Sequence, residues 1–229
     1  MGGRKLKPLA VQLFAKKGDN KTRHAPSLPN ALILGDSISI GYTPMVISQL
    51  KGKVKVVRAK ANCGDSNRYL RSLPKWLGDT KWDVIHFNMG LHDLCYRHPD
   101  SKVQGNRDKV KGTIAVPLAQ YEKNLEEIVT RLKATGARLI WASTTVVPEE
   151  EAGRHVGDEI KYNTAVRKIM EKHDIRINDL HALSAKFPPK LFKKPGDVHF
   201  KPEGSLKLAS QVASSIRAAL KTPSARKTE

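Results

Sequence analysis

The chain has 229 residues, a formal net charge of +19, 39% apolar residues and two cysteines. That length suits one domain of ordinary size with a real core, and two cysteines exclude a disulfide framework. No apolar run approaches a membrane span, and the best signal-like segment, Leu9 to Ala15, is short and interrupted by Gln12, so no export signal is expected in the chain as given, which leaves a secreted or periplasmic origin open.

Residues 1–28 hold +6 of the charge and residues 221–229 hold +2, which leaves +11 on the body between them. Such a surface attracts polyanions, so nonspecific polyanion binding is one expectation and a plain solvated basic surface the other. Aromatic residues are 6% and no RNP1-like pattern occurs, which argues against sequence-specific nucleic-acid recognition.

Residues 1–28 read as a basic extension with one short helix near Leu9 to Lys16, residues 29–220 as the domain proper, and residues 221–229 as a tail. The domain opens with an apolar strand, Ala31 to Leu34, followed by Gly35-Asp36-Ser37 and a helix reaching Leu50. Val54 to Arg58 reads as a second strand, 61–65 as a loop and Arg68 to Trp76 as a helix. Asp83 to Asn88 is a third strand ending at Met89-Gly90. Cys95 to Val116 is polar and without periodicity, a pattern of lids, binding loops or disordered segments. Leu118, Tyr121, Leu125, Ile128, Val129 and Leu132 then share a helical face, and Gly136 stands where a helix ends. Arg138 to Ser143 is a fourth strand, and Glu149-Glu150-Glu151 reads as a solvated loop or an acidic partner for the preceding insertion. A helix carrying Tyr162 to Met170, a short strand at Ile175 to Asn178 and a last helix at Glu203 to Leu220 complete the chain.

Five strands alternating with helices imply a doubly wound, five-stranded parallel sheet in a three-layer α/β/α sandwich. Ligands in such folds bind beyond the carboxyl ends of the strands. The loops after Leu34, Arg58, Asn88 and Ser143 therefore open on one side. The first offers Ser37, the second Asn62-Cys63-Gly64, the third Gly90-Leu91-His92-Asp93, and ahead of the last helix comes Gly196-Asp197-Val198-His199-Phe200. Asp36 and Ser37 are also favoured helix caps, so a purely structural reading stays open for both. A hydroxyl attacks an ester only if a base takes its proton; His199 is the natural base, and Asp197 is the carboxylate nearest to it in sequence.

These four blocks, in this order from about Pro29 to Leu220, resemble the SGNH hydrolases, also called the GDSL esterase/lipase family. The resemblance implies a flavodoxin-like sandwich and hydrolysis of esters, often acetyl esters on carbohydrates, without metal or organic cofactor. It further implies Ser37 as nucleophile, His199 as base, and an oxyanion hole from the N–H groups of Ser37 and Gly64. Two positions depart from the family. The third block usually reads Gly-x-Asn-Asp, and here His92 occupies the place of the amide donor; an imidazole N–H can take that role, and Asn88 stands nearby as an alternative. The acid usually precedes the histidine by three residues, where this chain has Gly196, so either Asp197 orients His199 or a backbone carbonyl does and the site is a Ser-His dyad.

Two further arrangements are open at this point. His92, Cys95 and His98, with Cys63, are residue types that bind zinc, although their spacing matches no standard zinc signature, and Cys63 and Cys95 are alternatively partners for a disulfide between the second and third loops. The reading that follows is a serine esterase acting on short-chain, acetyl-type esters, with a carbohydrate or another hydrophilic acyl donor. Its alternatives are a catalytically impaired module that binds polyanions and an O-acyltransferase.

Overall fold

The computed structural model of the protein describes Met1 and residues 27–221. The helix expected near Leu9 to Lys16 and the tail beyond Lys221 lie outside the described residues. Five strands, β1 (Asn30–Leu34), β2 (Lys55–Arg58), β3 (Val84–Phe87), β6 (Arg138–Ala142) and β7 (Arg176–Asn178), form one sheet in the order β2-β1-β3-β6-β7, and all neighbours run parallel. The register pairs Leu32 with Val57 and with Ile85, and Ile85 with Leu139.

The three inner strands, β1, β3 and β6, are buried along nearly their whole length, because helices cover both sheet faces. The outer strand β2 alternates between exposed and half-buried residues instead. On one side α1 (Ser37–Leu50) packs on α6 (Pro202–Lys221); on the other α2 (Ser66–Leu77), α3 (Leu118–Lys133) and α4 (Asp158–Lys172) lie in sequence. Apolar residues from Ala31 to Ala219 join in one core around Trp141, Phe87, Tyr69 and Tyr121. His86 sits within it on β3, its ring 3.0 Å from Asn178 Nδ2, and burial pushes its pKa down to about 3, so it is a neutral core residue.

Three features depart from the sequence reading. Helix α2 starts at Ser66 rather than Arg68, because the Asp65 carboxylate accepts from Arg68 N–H at 2.8 Å and caps it. A short helix α5 (Leu180–Ser184) and a 3₁₀ turn, Pro189–Leu191, fill the stretch before the last helix. The insertion after Cys95 is an ordered antiparallel ribbon of β4 (Tyr96–Arg97) and β5 (Thr113–Ile114). It is joined to the loop before α4 by Tyr96 N–H to Gly153 O at 2.7 Å and Lys109 N–H to Ala152 O at 2.9 Å. Glu149 and Glu150 are exposed as a solvated loop would have them, but Glu151 is fully buried and pairs with Arg107 of the insertion at 2.5 Å and with Arg154 at 2.8 Å. The single acid buried among basic neighbours therefore orders the insertion, and the periodicity was missing because long-range pairs, not an amphipathic face, hold it.

Candidate active site

The site grows from the end of β1. Asp36 is the N-cap of α1, its Oδ1 accepting from Ile38 N–H at 2.9 Å, and Ser37 is the first helical residue. The capping and the hydroxyl are thus divided between the two residues, leaving Ser37 half-buried at the helix mouth. The first-turn amide of Ser37 has no carbonyl within the helix to donate to, and the positive end of the helix dipole lies there.

Across from it, the chain ahead of α6 brings His199 to the hydroxyl, with Nε2 2.7 Å from Ser37 Oγ. Asp197 Oδ1 stands 2.6 Å from the other ring nitrogen, Nδ1, and also accepts from the His199 backbone N–H at 2.9 Å. A carboxylate only accepts, so Nδ1 carries the proton and Nε2 is left to accept from Ser37. The two-residue spacing works because Asp197 closes a turn around the His199 amide and its own ring partner together. Asp197, and not a backbone carbonyl, therefore takes Nδ1. Burial opposes ionisation of Asp197, but hydrogen bonds from the His199 N–H and ring, with the nearby Lys193 charge, hold its pKa below the ordinary value. A small depression beside Ser37 and His199 is lined by Ile38, Gly41, Lys193, Phe200 and Ser205.

The second loop lies against the first through Cys63 N–H to Gly35 O at 3.1 Å. Gly64 has φ +70°, a conformation that costs a side chain strain, and its N–H donates to Asn62 Oδ1 at 3.0 Å. An oxygen bound there has to share or displace that contact. In the third loop Gly90 has φ +144°, and a Cβ on it would lie 2.1 Å from Thr144 Oγ1, so only glycine fits. His92 follows, half-buried, and its ring takes no hydrogen-bond partner among the described residues. Burial, with the guanidiniums of Arg154 and Arg97, outweighs Asp36 and Asp65 and lowers its pKa, so it presents a neutral imidazole with one N–H. Asn88 is buried, and its Nδ2 donates one of its two N–H groups to Ala142 O at 2.8 Å, which ties β3 to β6 and fixes the amide there.

Further residues hold these loops. Asp93 Oδ1 accepts from Ser66 N–H at 2.7 Å and joins the third loop to the start of α2. Asn124 on α3 donates to Ser66 Oγ at 2.8 Å. Asp65 and Asp93 are short polar residues next to a glycine loop, a signal that would have found the first as a cap; Asn124 has no local signal at all. Cys63 and Cys95 are both buried free thiols, so the disulfide is not formed, and burial pushes the Cys63 pKa up to about 11. His98 Nδ1 turns to Asp100 N–H at 3.3 Å, and among the described residues no group of His, Cys, Asp or Glu gathers as a metal site, so the zinc arrangement is not assembled.

Comparison with known proteins agrees with this fold. Solved structures with the same fold include an acetyl xylan esterase, AlAXEase, at 16% identity and TM-score 0.66, covering 82% of this chain and 99% of that one. A lipase/acylhydrolase from Enterococcus faecalis aligns at 15% identity and TM-score 0.68, over 83% and 96% of the two chains. The psychrotrophic esterase EstA from Pseudoalteromonas sp. aligns at 15% identity and TM-score 0.63, over 84% and 99%. No curated protein matches the chain by sequence. The model of the GDSL-like lipase/acylhydrolase family matches residues 33–206, which reach from β1 through every loop described above into α6. The chain belongs to the GDSL-like lipase/acylhydrolase family and is a carboxylic ester hydrolase.

Proposed function

We propose that the protein hydrolyses short-chain esters, acetyl esters above all, through an acyl-enzyme on Ser37. The observation that carries this reading is the hydrogen-bonded line from Ser37 Oγ to His199 to Asp197, at 2.7 and 2.6 Å. His199 takes the Ser37 proton as the hydroxyl attacks the ester carbonyl, and Asp197 holds the ring in the receptive tautomer and stabilises the imidazolium. The tetrahedral oxyanion meets Ser37 N–H, Gly64 N–H and the His92 ring. His199 then returns the proton to the leaving alcohol, and a water activated by the same imidazole releases the acid.

The small depression beside Ser37 supports a short acyl group, and the basic, polar surroundings support a carbohydrate or other hydrophilic alcohol. Acetyl xylan esterases among the structures that share this fold agree with that substrate class. Among the described residues no helix is long and apolar enough to cross a membrane. The test is turnover of p-nitrophenyl acetate and of an acetylated xylo-oligosaccharide by the intact protein, Ser37→Ala and His199→Ala. Hydrolysis by the intact protein alone is expected; rapid turnover of long-chain esters with none of acetyl esters would overturn the substrate class, and unchanged rates in both variants would overturn the mechanism.

A further inference from the structure

The third loop is held from outside. Its turn closes through Leu94 N–H to Gly90 O at 2.9 Å, and the peptide just before His92 is fixed by Arg154 Nε–H, which donates to Leu91 O at 2.6 Å. Arg154 is 5% exposed and sends Nη1 to Glu151 Oε1 at 2.8 Å. Glu151 is fully buried; the same Oε1 takes Arg107 Nη1 from the insertion at 2.5 Å, and its Oε2 accepts from Gly153 N–H at 2.7 Å. One edge of the Arg154 guanidinium is therefore set by a carboxylate and the other sets a carbonyl of the active-site loop.

A charge pair withdrawn from water contributes little net stability, and apolar residues would fill the same space as well. What a buried arginine supplies that apolar residues do not is direction, since its planar fork meets a carboxylate and a carbonyl at fixed angles. We propose that Arg154, held by Glu151 and by Arg107 of the β4–β5 insertion, is a positioning residue that fixes the Leu91-His92 peptide so that the His92 ring faces the oxyanion. This rests on the oxyanion role proposed above for His92. The insertion is then a strut for the oxyanion hole. The described hydrogen bonds of Arg154 go to Leu91 and Glu151, so its hold on the site runs through the third loop, while its charge also favours the neutral His92 ring.

The experiment is a double-mutant cycle on kcat and KM for p-nitrophenyl acetate, using Arg154→Met, His92→Ala and the two together, with thermal melts to establish folding. Arg154→Met alone leaves Glu151 charged in the interior, so the neutral pair Glu151→Met/Arg154→Met is measured beside it, and Arg154→Lys tests rescue. Loss of a well-aimed oxyanion donor costs about 10²–10³-fold in kcat, so Arg154→Met is expected to lose about 10–100-fold in kcat with KM changed less than about threefold. Arg154→Lys recovers most of it. In the His92→Ala background the same substitution costs less than about threefold. Losses that multiply in the double variant, or that fall on KM alone, overturn the positioning role while leaving His92 in place. A His92→Ala protein with unchanged kcat, when Ser37→Ala is inactive, removes the oxyanion reading itself and this inference with it. Where Arg154→Met does not fold, the neutral pair and the lysine variant are read by the same criteria.

Discussion

Ser37 and His199 each sit in a turn set by a neighbouring aspartate and are joined by one contact between residues 162 apart, whereas the loops of Gly64 and His92 are held by several contacts from residues far away in sequence. Asp36 caps α1 from one residue before Ser37, and Asp197 binds both the backbone and the ring of a histidine two residues on. The loops of Gly64 and His92 instead rely on Asp93 with Ser66, Ser66 with Asn124, and Arg154 with Leu91, contacts 27, 58 and 63 residues apart. The proton-transfer half is accordingly two local turns docked by the packing of α1 on α6, and the oxyanion half a set of loops held by several long-range contacts. A perturbation that loosens tertiary structure without unfolding it is expected to lower kcat through both halves, because Ser37 and His199 also depend on long-range packing.

The comparison breaks most sharply at its first half. Ser37→Ala or His199→Ala is expected to reduce kcat for p-nitrophenyl acetate by more than about 10⁴-fold with no loss of thermal stability, because neither hydroxyl nor imidazole is part of the core. Asp197→Ala comes next, at about 10²–10⁴-fold, since the imidazole loses both its tautomer control and its counter-charge. Steady-state kinetics on the same ester checks both; an Asp197 variant at the wild-type rate would show that His199 is oriented by the fold alone.

The second half is sharpened by His92. His92→Ala is expected to lose about 10²–10³-fold in kcat, and His92→Asn, which restores an amide donor, to stay within about tenfold of the parent. Equal losses in both would mean that the ring is needed for something other than an N–H.

The smallest expected effect concerns the tie between the two oxyanion loops. Burial pushes the Asp93 carboxyl up to about 7 against the hydrogen bonds from Ser66. A carboxyl raised in the folded state contributes its stability in full below the ordinary range, about pH 4, and loses it as pH climbs to about 7, because folding then holds a buried charge. Asp93→Asn cannot ionise, so the gap in melting temperature between parent and variant should shrink by several degrees from about pH 5 to about pH 8. Parallel melting curves across that range would show that Asp93 stays ionised.

Much of this was readable in the chain. The short apolar run Ala31 to Leu34, stopped by Gly35, read as a buried strand, and the 3.6-residue spacing of Leu118, Tyr121, Leu125 and Ile128 fixed α3 within one face. Cys95 to Val116 was not readable as a ribbon, because β4 and β5 are two residues each and their order comes from Gly153, Ala152 and a carboxylate more than forty residues away. Glu151 looked like its two exposed neighbours for the same reason: nothing local distinguishes an acid that will be buried between two arginines. His92 and Asn88 were both donor candidates by type, Asn88 the weaker for its place on the strand, and the bond from Asn88 to Ala142 holds that amide in the sheet.

The sequence by itself determined the alternation of strands and helices, the glycine turns, and which four loops share a sheet edge, since periodicity and parallel topology follow from nearest neighbours and handed crossovers. Tertiary structure alone decided which side chains in those loops are free to face a substrate. Hydrogen-bond partners of buried polar groups are chosen by proximity in space, and that proximity is made by the packing of strands, helices and insertion around one core.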